Sequence, residues 1–423
     1  MSKVKLLQGL TVTHSKSKID GEKVDVLIAG SEAKIVKHNS QKGDFEKIDY
    51  SGCLLTPAFT DLSFSLPDPG FEFRENFESA EKLALAAGFH RLCCLPNTEP
   101  VIDGKAEVNY YIKNSKQSKI EFLPLGAISK ELKSEELAEL FDMKRAGAVA
   151  FSNGDKAIKQ SGLLKRALLY VQPFHGLIFS FPFDESISIG GVMHEGTVSV
   201  SLGLKGQPEI SEFLMVKRDI EILRYTGGRL HFSGISSAES VSIIKEAKKE
   251  GLNVTCDVRA LNLLCTDESL RSFDSSFKVI PPLRSETHRK ALIAGLKDGT
   301  IDAISSGHRP LDAEVKDVEF IYAKYGANTL QSVWSKLLTE LKGKIQASKI
   351  AEALSLGPEL ILGIQSPKFD YGTIDNFIVT SPQKWILDNA NNHSLSDNSP
   401  FLNQTHQYRV ELVFAKNKLT INK

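Results

Sequence analysis

From Leu54 onward the chain keeps repeating one local pattern: an amphipathic helix, a glycine stop, then a short apolar strand. Asn76 to Ala87 sets Phe77, Ala80, Leu83, Ala84 and Ala87 on one helical face, Gly88 stops the helix, and RLCCLPN follows as a strand. Ser134 caps EELAELFDMKRA, with Leu137, Leu140 and Phe141 on its inner face, Gly147 as its stop and AVAF after it. SSAESVSIIKEAKKEG opens on a capping box from Ser236 to Glu239, lines Val241, Ile244 and Ala247 inward, ends at Gly251 and feeds LNVTCDV. SETHRKALIAGLKDG is built alike, ends near Gly299 and leads into TIDAI. Strands separated by helices pair in parallel, because a parallel neighbour needs a crossover connection. A closed (β/α)8 barrel of the TIM type suits this length better than an open doubly wound sheet, and no GxGxxG follows a strand to support dinucleotide binding.

Both ends of the chain read differently. VKLLQGLTVTH, KVDVLIAG and AKIVKH near the start, and DNFIVTSP and YRVELVFAKNKLTIN near the end, are strand text broken by turn residues, with no amphipathic helix in the first stretch. The economical arrangement is a small β-sandwich domain built from residues 1–55 and 366–423, flanking a barrel over 56–365.

Lys+Arg and Asp+Glu both number 52, so the formal net charge is zero, and no cationic surplus points to nucleic acid or an anionic membrane. The longest apolar stretches, such as GLIFSFPF, fall far short of a spanning helix, and the first residues lack a signal-peptide core. The five cysteines form no CxxC pair and read as buried thiols in a reducing compartment. A cytoplasmic protein is expected.

The order of landmarks carries a resemblance. PAFTDLSFSLPDPGFEFRENF, CLPNTEPV, RDIEI, PPLRS, LKDGTIDAIS, FDYGTIDNFIV and the tail NSPFLNQ follow one another as they do in dihydroorotases of the amidohydrolase superfamily. The chain resembles that family from about Lys5 to Leu419. Each string is weak alone; together and in order they are specific. The resemblance implies a metal-dependent hydrolase barrel that opens or closes a cyclic amide in pyrimidine synthesis. Zinc would lower the pKa of bound water and polarise the amide, held by ligands at the carboxyl ends of the strands.

Carried over residue by residue, the family's ligand positions hold none of the expected donors. The opening His-x-His falls on Ser63 and Ser65, and the arginine two residues on is Pro67. The bridging carboxylate falls on Asn153, and the third histidine, placed by the Met193–Gly196 landmark, on Phe181. The fourth falls on Gly234, and the aspartate that is both ligand and general base on Gly307. Structural zinc is held with roughly 10–16 kcal/mol because several deprotonated donors converge. Ser and Asn are weak neutral donors, and Phe and Gly offer none. Around the centre Ile280 stands for an asparagine and Leu311 for a histidine, whereas Asn97, His231 and His308 are retained, though neither histidine is a ligand in the family pattern.

Other chemistries are weaker. His231, His308, Asp61 and Asp257 could lie near strand ends, but without tight spacing they read as satisfied core groups rather than a second metal site. Lys156 reads as a solvated loop lysine, not a carbamylated bridge. Cys93 and Cys94 alternate across a strand and cannot both face the barrel axis. Ser63 and Ser65 sit in no GxSxG. The intact fold text beside the emptied site leads to an expectation of a non-catalytic dihydroorotase homologue without zinc. Such a protein would be a homodimer and a structural or regulatory partner, with aspartate carbamoyltransferase as the partner the resemblance implies. The competing readings are an active cyclic amidohydrolase with an atypical metal site and a small-molecule sensor using the barrel mouth.

Overall fold

The computed structural model describes residues 4–365 and 368–422. The expected junction at 366 lies outside the described residues. Eight parallel strands form the barrel: β1 (Phe59–Phe64), β2 (Phe89–Cys94), β3 (Glu121–Ala127), β4 (Ala150–Ser152), β5 (Ile178–Ser180), β6 (Leu230–Phe232), β7 (Val254–Arg259) and β8 (Ala303–Ser305). Their order in the sheet is their order in the chain. The two edges meet just past β8, at a parallel bridge between Phe64 and His308. The helices close over the outside through one large apolar cluster that includes Leu83, Met143, Leu168, Ile244 and Leu296. Cys93 packs in a separate cluster with Leu62, Leu125 and Phe179, while Cys94 joins the large one, as alternation along a strand requires.

The terminal segments form one nine-stranded sheet. The two chain ends join where Phe377–Ser381 pairs antiparallel with Leu54–Pro57. Lys5–Val12 is the branch point: its first half pairs in parallel with Glu46–Asp49 and its end with Leu54 and Leu55. Gly9, at φ +78°, marks the break, and its N–H donates to the buried Asp25 Oδ1 at 2.9 Å. This sheet has its own core, in which Phe377 and Phe414 stack at 5.3 Å. Only Ala58 separates Pro57, the last residue of a sheet strand, from the start of β1, so the sheet sits against the amino end of the barrel.

Local rules hold where caps are local. Asn76 caps the helix Phe77–Ala87 by accepting from Ser79 N, and Gly88 ends it in the left-handed region at φ 87°. Two expectations need correction. The helix expected from Ser134 begins only at Leu140 (Leu140–Ala146); Ser134 itself has φ +60°, and Phe141 is exposed rather than inward. The reason is tertiary: the Asn153 side chain binds Ser129 and Ser134 and holds that segment out of helix. The second is the cap of Ala238–Lys249, which is Ser237, accepting from Ser240 N, not Ser236. Ser236 is instead committed to a buried cluster, donating to Glu212 and accepting from Arg284 Nε at 2.6 Å.

Candidate functional site

On β7, Cys256 and Val258 pack outward with the helices, so alternation turns Asp257 and Arg259 the other way. Arg259 then defines the carboxyl end of the barrel. One of its terminal nitrogens donates to the Ile280 carbonyl and the other to Asp155 Oδ1. The second oxygen of Asp155 accepts from Arg309 at 2.9 Å. The ring of Phe181 lies 5.5 Å from the guanidinium carbon, within cation–π reach. Burial alone would raise the Asp155 carboxyl, but the Arg259 and Arg309 guanidiniums together hold it below the usual carboxylate range.

Two glycines make room for this arrangement. A Cβ on Gly234 would stand 2.9 Å from Arg259 Nε, and one on Gly307 would stand 2.8 Å from its Cδ. Both residues have positive φ, +72° and +64°. The cavity left among Arg259, Asn262, Ile280, Gly307 and Arg309 measures about 10 Å³, room for a single water.

The sequence-predicted positions divide. Phe181, Gly234, Gly307 and Ile280 are brought together, all around Arg259. Asn153 is not: its Oδ1 accepts from the Ile128 and Ser129 N–H groups, each at 3.1 Å, and its Nδ2 donates to Ser129 and Ser134, so the whole amide is spent on the loop after β3. Ser63 is buried beside Asp61, whose carboxylate accepts from Ser306 N at 2.7 Å. Burial raises the Asp61 pKa against the pull of those Ser306 hydrogen bonds. Ser65 N donates to the His308 carbonyl at 2.9 Å, tying the ends of the barrel seam. Asn97 lies under Gly154, where a Cβ would meet its Oδ1 at 1.7 Å. Leu311 is buried and its N–H donates to Asn398, and the buried Pro67 accepts through its carbonyl from Phe71 N at 2.7 Å.

Both retained histidines are occupied. His231 Nε2 meets Asp257 Oδ2 at 2.8 Å and its Nδ1 meets Thr255 Oγ1 at 2.9 Å. The other oxygen of Asp257 accepts from Gly234 N at 3.1 Å and Ser305 Oγ at 2.6 Å. His308 stacks on Phe64 at 4.6 Å, faces Glu75 Oε2 at 3.4 Å through Nε2, and accepts from Thr329 N at 3.3 Å through Nδ1. Neither ring is free to act as a base toward Ser63 or Ser65. Lys156 is exposed. Among the described residues no three His, Cys, Asp or Glu side chains are grouped to hold a metal ion.

Comparison with known proteins places this geometry. Residues 52–240 match the model of the dihydro-orotase-like family. The dihydroorotase of Caldicellulosiruptor saccharolyticus is 38% identical over 406 residues, covering 94% of each chain. The chain belongs to the dihydroorotase family. The dihydroorotase of Syntrophus aciditrophicus is 34% identical over 98% of both chains. In structure, the L-hydantoinase (dihydropyrimidinase) of Arthrobacter aurescens superposes with a TM-score of 0.85 at 20% identity, covering 99% of this chain and 96% of that one, which shows a shared fold.

Seen as a dihydroorotase-family site, the residues present do not fit the zinc that the family chemistry calls for. Two glycines, a phenylalanine, two serines and an asparagine stand at the ligand positions the resemblance assigns, and a guanidinium crosses the space between three of them. A cation placed there would face the Arg259 guanidinium, and the carboxylate at hand, Asp155, is already held by Arg259 and Arg309. Reasoning from the sequence missed Asp155, Arg259, Arg309 and Glu75. For Arg259 a signal existed: in VTCDVR, period-two alternation puts Arg259 on the same face as Asp257.

Proposed function

We propose that this chain is a non-catalytic member of the dihydroorotase family in which the Arg259–Asp155 pair has taken over the centre of the barrel mouth. It binds no zinc there and opens no cyclic amide. The single observation that carries this reading is the placement of Arg259 within 3 Å of where side chains at both Gly234 and Gly307 would begin. The engagement of His231 and His308 supports it, because hydrolysis needs a free base.

A barrel with an intact core and no working centre is retained for what its surface does. We propose a structural or regulatory role in pyrimidine synthesis, as a homodimer associated with aspartate carbamoyltransferase. The support is family membership together with the loss of the site. A reducing, cytoplasmic setting fits the five cysteines, all free, and no helix among the described residues is long and apolar enough to cross a membrane.

The test has two arms. Protein purified without chelators should carry no stoichiometric zinc by elemental analysis and show no dihydroorotate turnover above buffer, with or without added zinc. Mixed with aspartate carbamoyltransferase from the same source, it should co-elute as a larger species. Stoichiometric metal with turnover would establish the active amidohydrolase instead, the reading that overall similarity alone favours. Failure to co-elute would remove the partner and leave the inactivity standing.

A further inference from the structure

At the opposite end of the barrel from Arg259, a second cavity lies between the terminal sheet and the amino end of β2. Its volume is about 140 Å³. Its walls come from Pro57 and Ala58, which link the sheet to the barrel, from the Ser355–Glu359 segment, and from Phe369 and Ile374. Two imidazoles line it. His90 is 3% exposed, and neither of its ring nitrogens has a hydrogen-bond partner among the described residues. His14 is 5% exposed, and its Nδ1 is likewise unpartnered.

Such orphans are unusual, because buried polar atoms are nearly always hydrogen-bonded. The nearest acid does not resolve His90: Glu359 Oε1 lies 3.8 Å from Nε2 and accepts from Arg91 at 2.6 Å. Burial pushes both histidines below the ordinary imidazole value, His90 far below it, so at neutral pH each ring is uncharged. A neutral imidazole offers one N–H donor and one acceptor nitrogen. The cavity therefore presents donors and acceptors together, beside the apolar surfaces of Pro57, Ala58, Leu356, Phe369 and Ile374.

Size and charge narrow the ligand. An apolar cavity of about 150 Å³ accepts one benzene ring, so this one is of the size that holds a single six-membered ring. Lys16, Lys368 and Asp375 stand exposed at the rim, where solvent screens them, and Glu359 within is already paired with Arg91, so the lining charges are either screened or taken. The exposed rim also supplies the way in.

We propose that this cavity is a binding site for a neutral, planar, six-membered heterocycle bearing ring N–H and carbonyl groups, the chemistry of a free nucleobase such as uracil, held between His14 and His90. The ring would fill the apolar walls, its N–H groups donating to imidazole nitrogen and its carbonyls accepting from imidazole N–H. The site is on the face away from the barrel mouth, so its occupancy is independent of whether the mouth holds metal or turns over substrate.

The full-length protein tests this with uracil as the probe. Thermal unfolding should shift upward progressively with uracil concentration, and benzene, of similar size but without polar atoms, should shift it less. His90→Phe, which fills the position without ring nitrogens, should weaken uracil binding at least tenfold by calorimetry. A crystal soaked with 5-bromouracil should show an anomalous bromine peak between His14 and His90, a readout that does not depend on a variant folding. No shift with uracil and only water in the cavity would overturn the proposal, as would uracil binding unaltered in a folded His90→Phe protein. Neither result bears on zinc content or turnover, so the two readings fail separately.

Discussion

A Cβ on Gly307 would lie 2.8 Å from Cδ of Arg259, 3.2 Å from its Cγ and 3.3 Å from its Cβ, so the glycine and the arginine side chain share one packing solution. Any larger residue at 307 must move Arg259, and must itself adopt φ +64°. Gly307→Asp, which puts an acid at the position the resemblance assigns to the family's last ligand, should therefore destabilise the protein. Overpacking costs about 1–3 kcal/mol and left-handed strain about 1–3 kcal/mol more. Thermal denaturation should show a clear fall in Tm, and elemental analysis no gain of zinc, since a single acid beside a guanidinium makes an ion pair rather than a metal site. Bound zinc in this single variant would mean that Arg259 yields far more readily than its contacts imply.

Asp155 answers a guanidinium that is only 9% exposed, and is itself 8% exposed. Removing one partner of a buried pair leaves an uncompensated charge and costs about 3–5 kcal/mol, whereas replacing both with apolar groups is often close to neutral. Asp155→Ala should thus be strongly destabilising, and Asp155→Ala with Arg259→Met markedly less so than the single change. Urea denaturation of the wild type, both singles and the double gives the coupling energy directly. Additive effects would show that Arg309 alone satisfies Asp155.

Much of this architecture could be read in the sequence because its determinants are local. Asn76 and Gly88 bound their helix by contacts within four residues, and the runs that become β2, β7 and β8 carry the apolar, β-branched text of buried strands. What stayed hidden depends on pairs distant in the chain. Asn153 reaches back 24 residues to Ser129, and that bond, not local propensity, keeps Ser134 out of a helix. Arg259 and Asp155 are separated by 104 residues. The positions that the resemblance assigns to ligands, Ser63, Ser65, Asn153, Phe181, Gly234 and Gly307, were named from the family landmarks alone. That Arg259 lies among Phe181, Gly234 and Gly307 could not be read there, because two glycines indicate only room, not what fills it.

Thiol chemistry reports on the same packing. Cys93, Cys94 and Cys256 are fully enclosed, and burial pushes their thiols well above the ordinary range. Cys53 and Cys265 are pushed up to about 11, again by burial first. Since the thiolate is the reactive form, the native protein at pH 8 should react with Ellman's reagent only slowly, and all five cysteines should react promptly in denaturant. A fast-reacting thiol in the native state would identify a segment that opens readily, with the Cys265 neighbourhood first to be suspected because it is the least buried of the five.

Acid should act on the fold through two further histidines. Burial lowers His406 to about 4 and His194 to about 3, with Lys336 opposing protonation of the first and Arg284 of the second. Their unfolded value is about 6.5. Well above pH 6.5 both rings are neutral in either state and contribute no pH dependence. As pH falls below 6.5 the unfolded chain takes up protons that the folded rings resist, so stability drops until pH reaches the folded values. Each histidine adds a slope of at most about 1.4 kcal/mol per pH unit in that window. His406 stacks on Trp385 at 4.6 Å, so His406→Phe should preserve the stack. Thermal unfolding followed between pH 7 and pH 4.5 should then show a shallower decline in the variant, with the two proteins converging in slope above pH 6.5. Parallel declines across the whole range would assign the acid sensitivity to other groups.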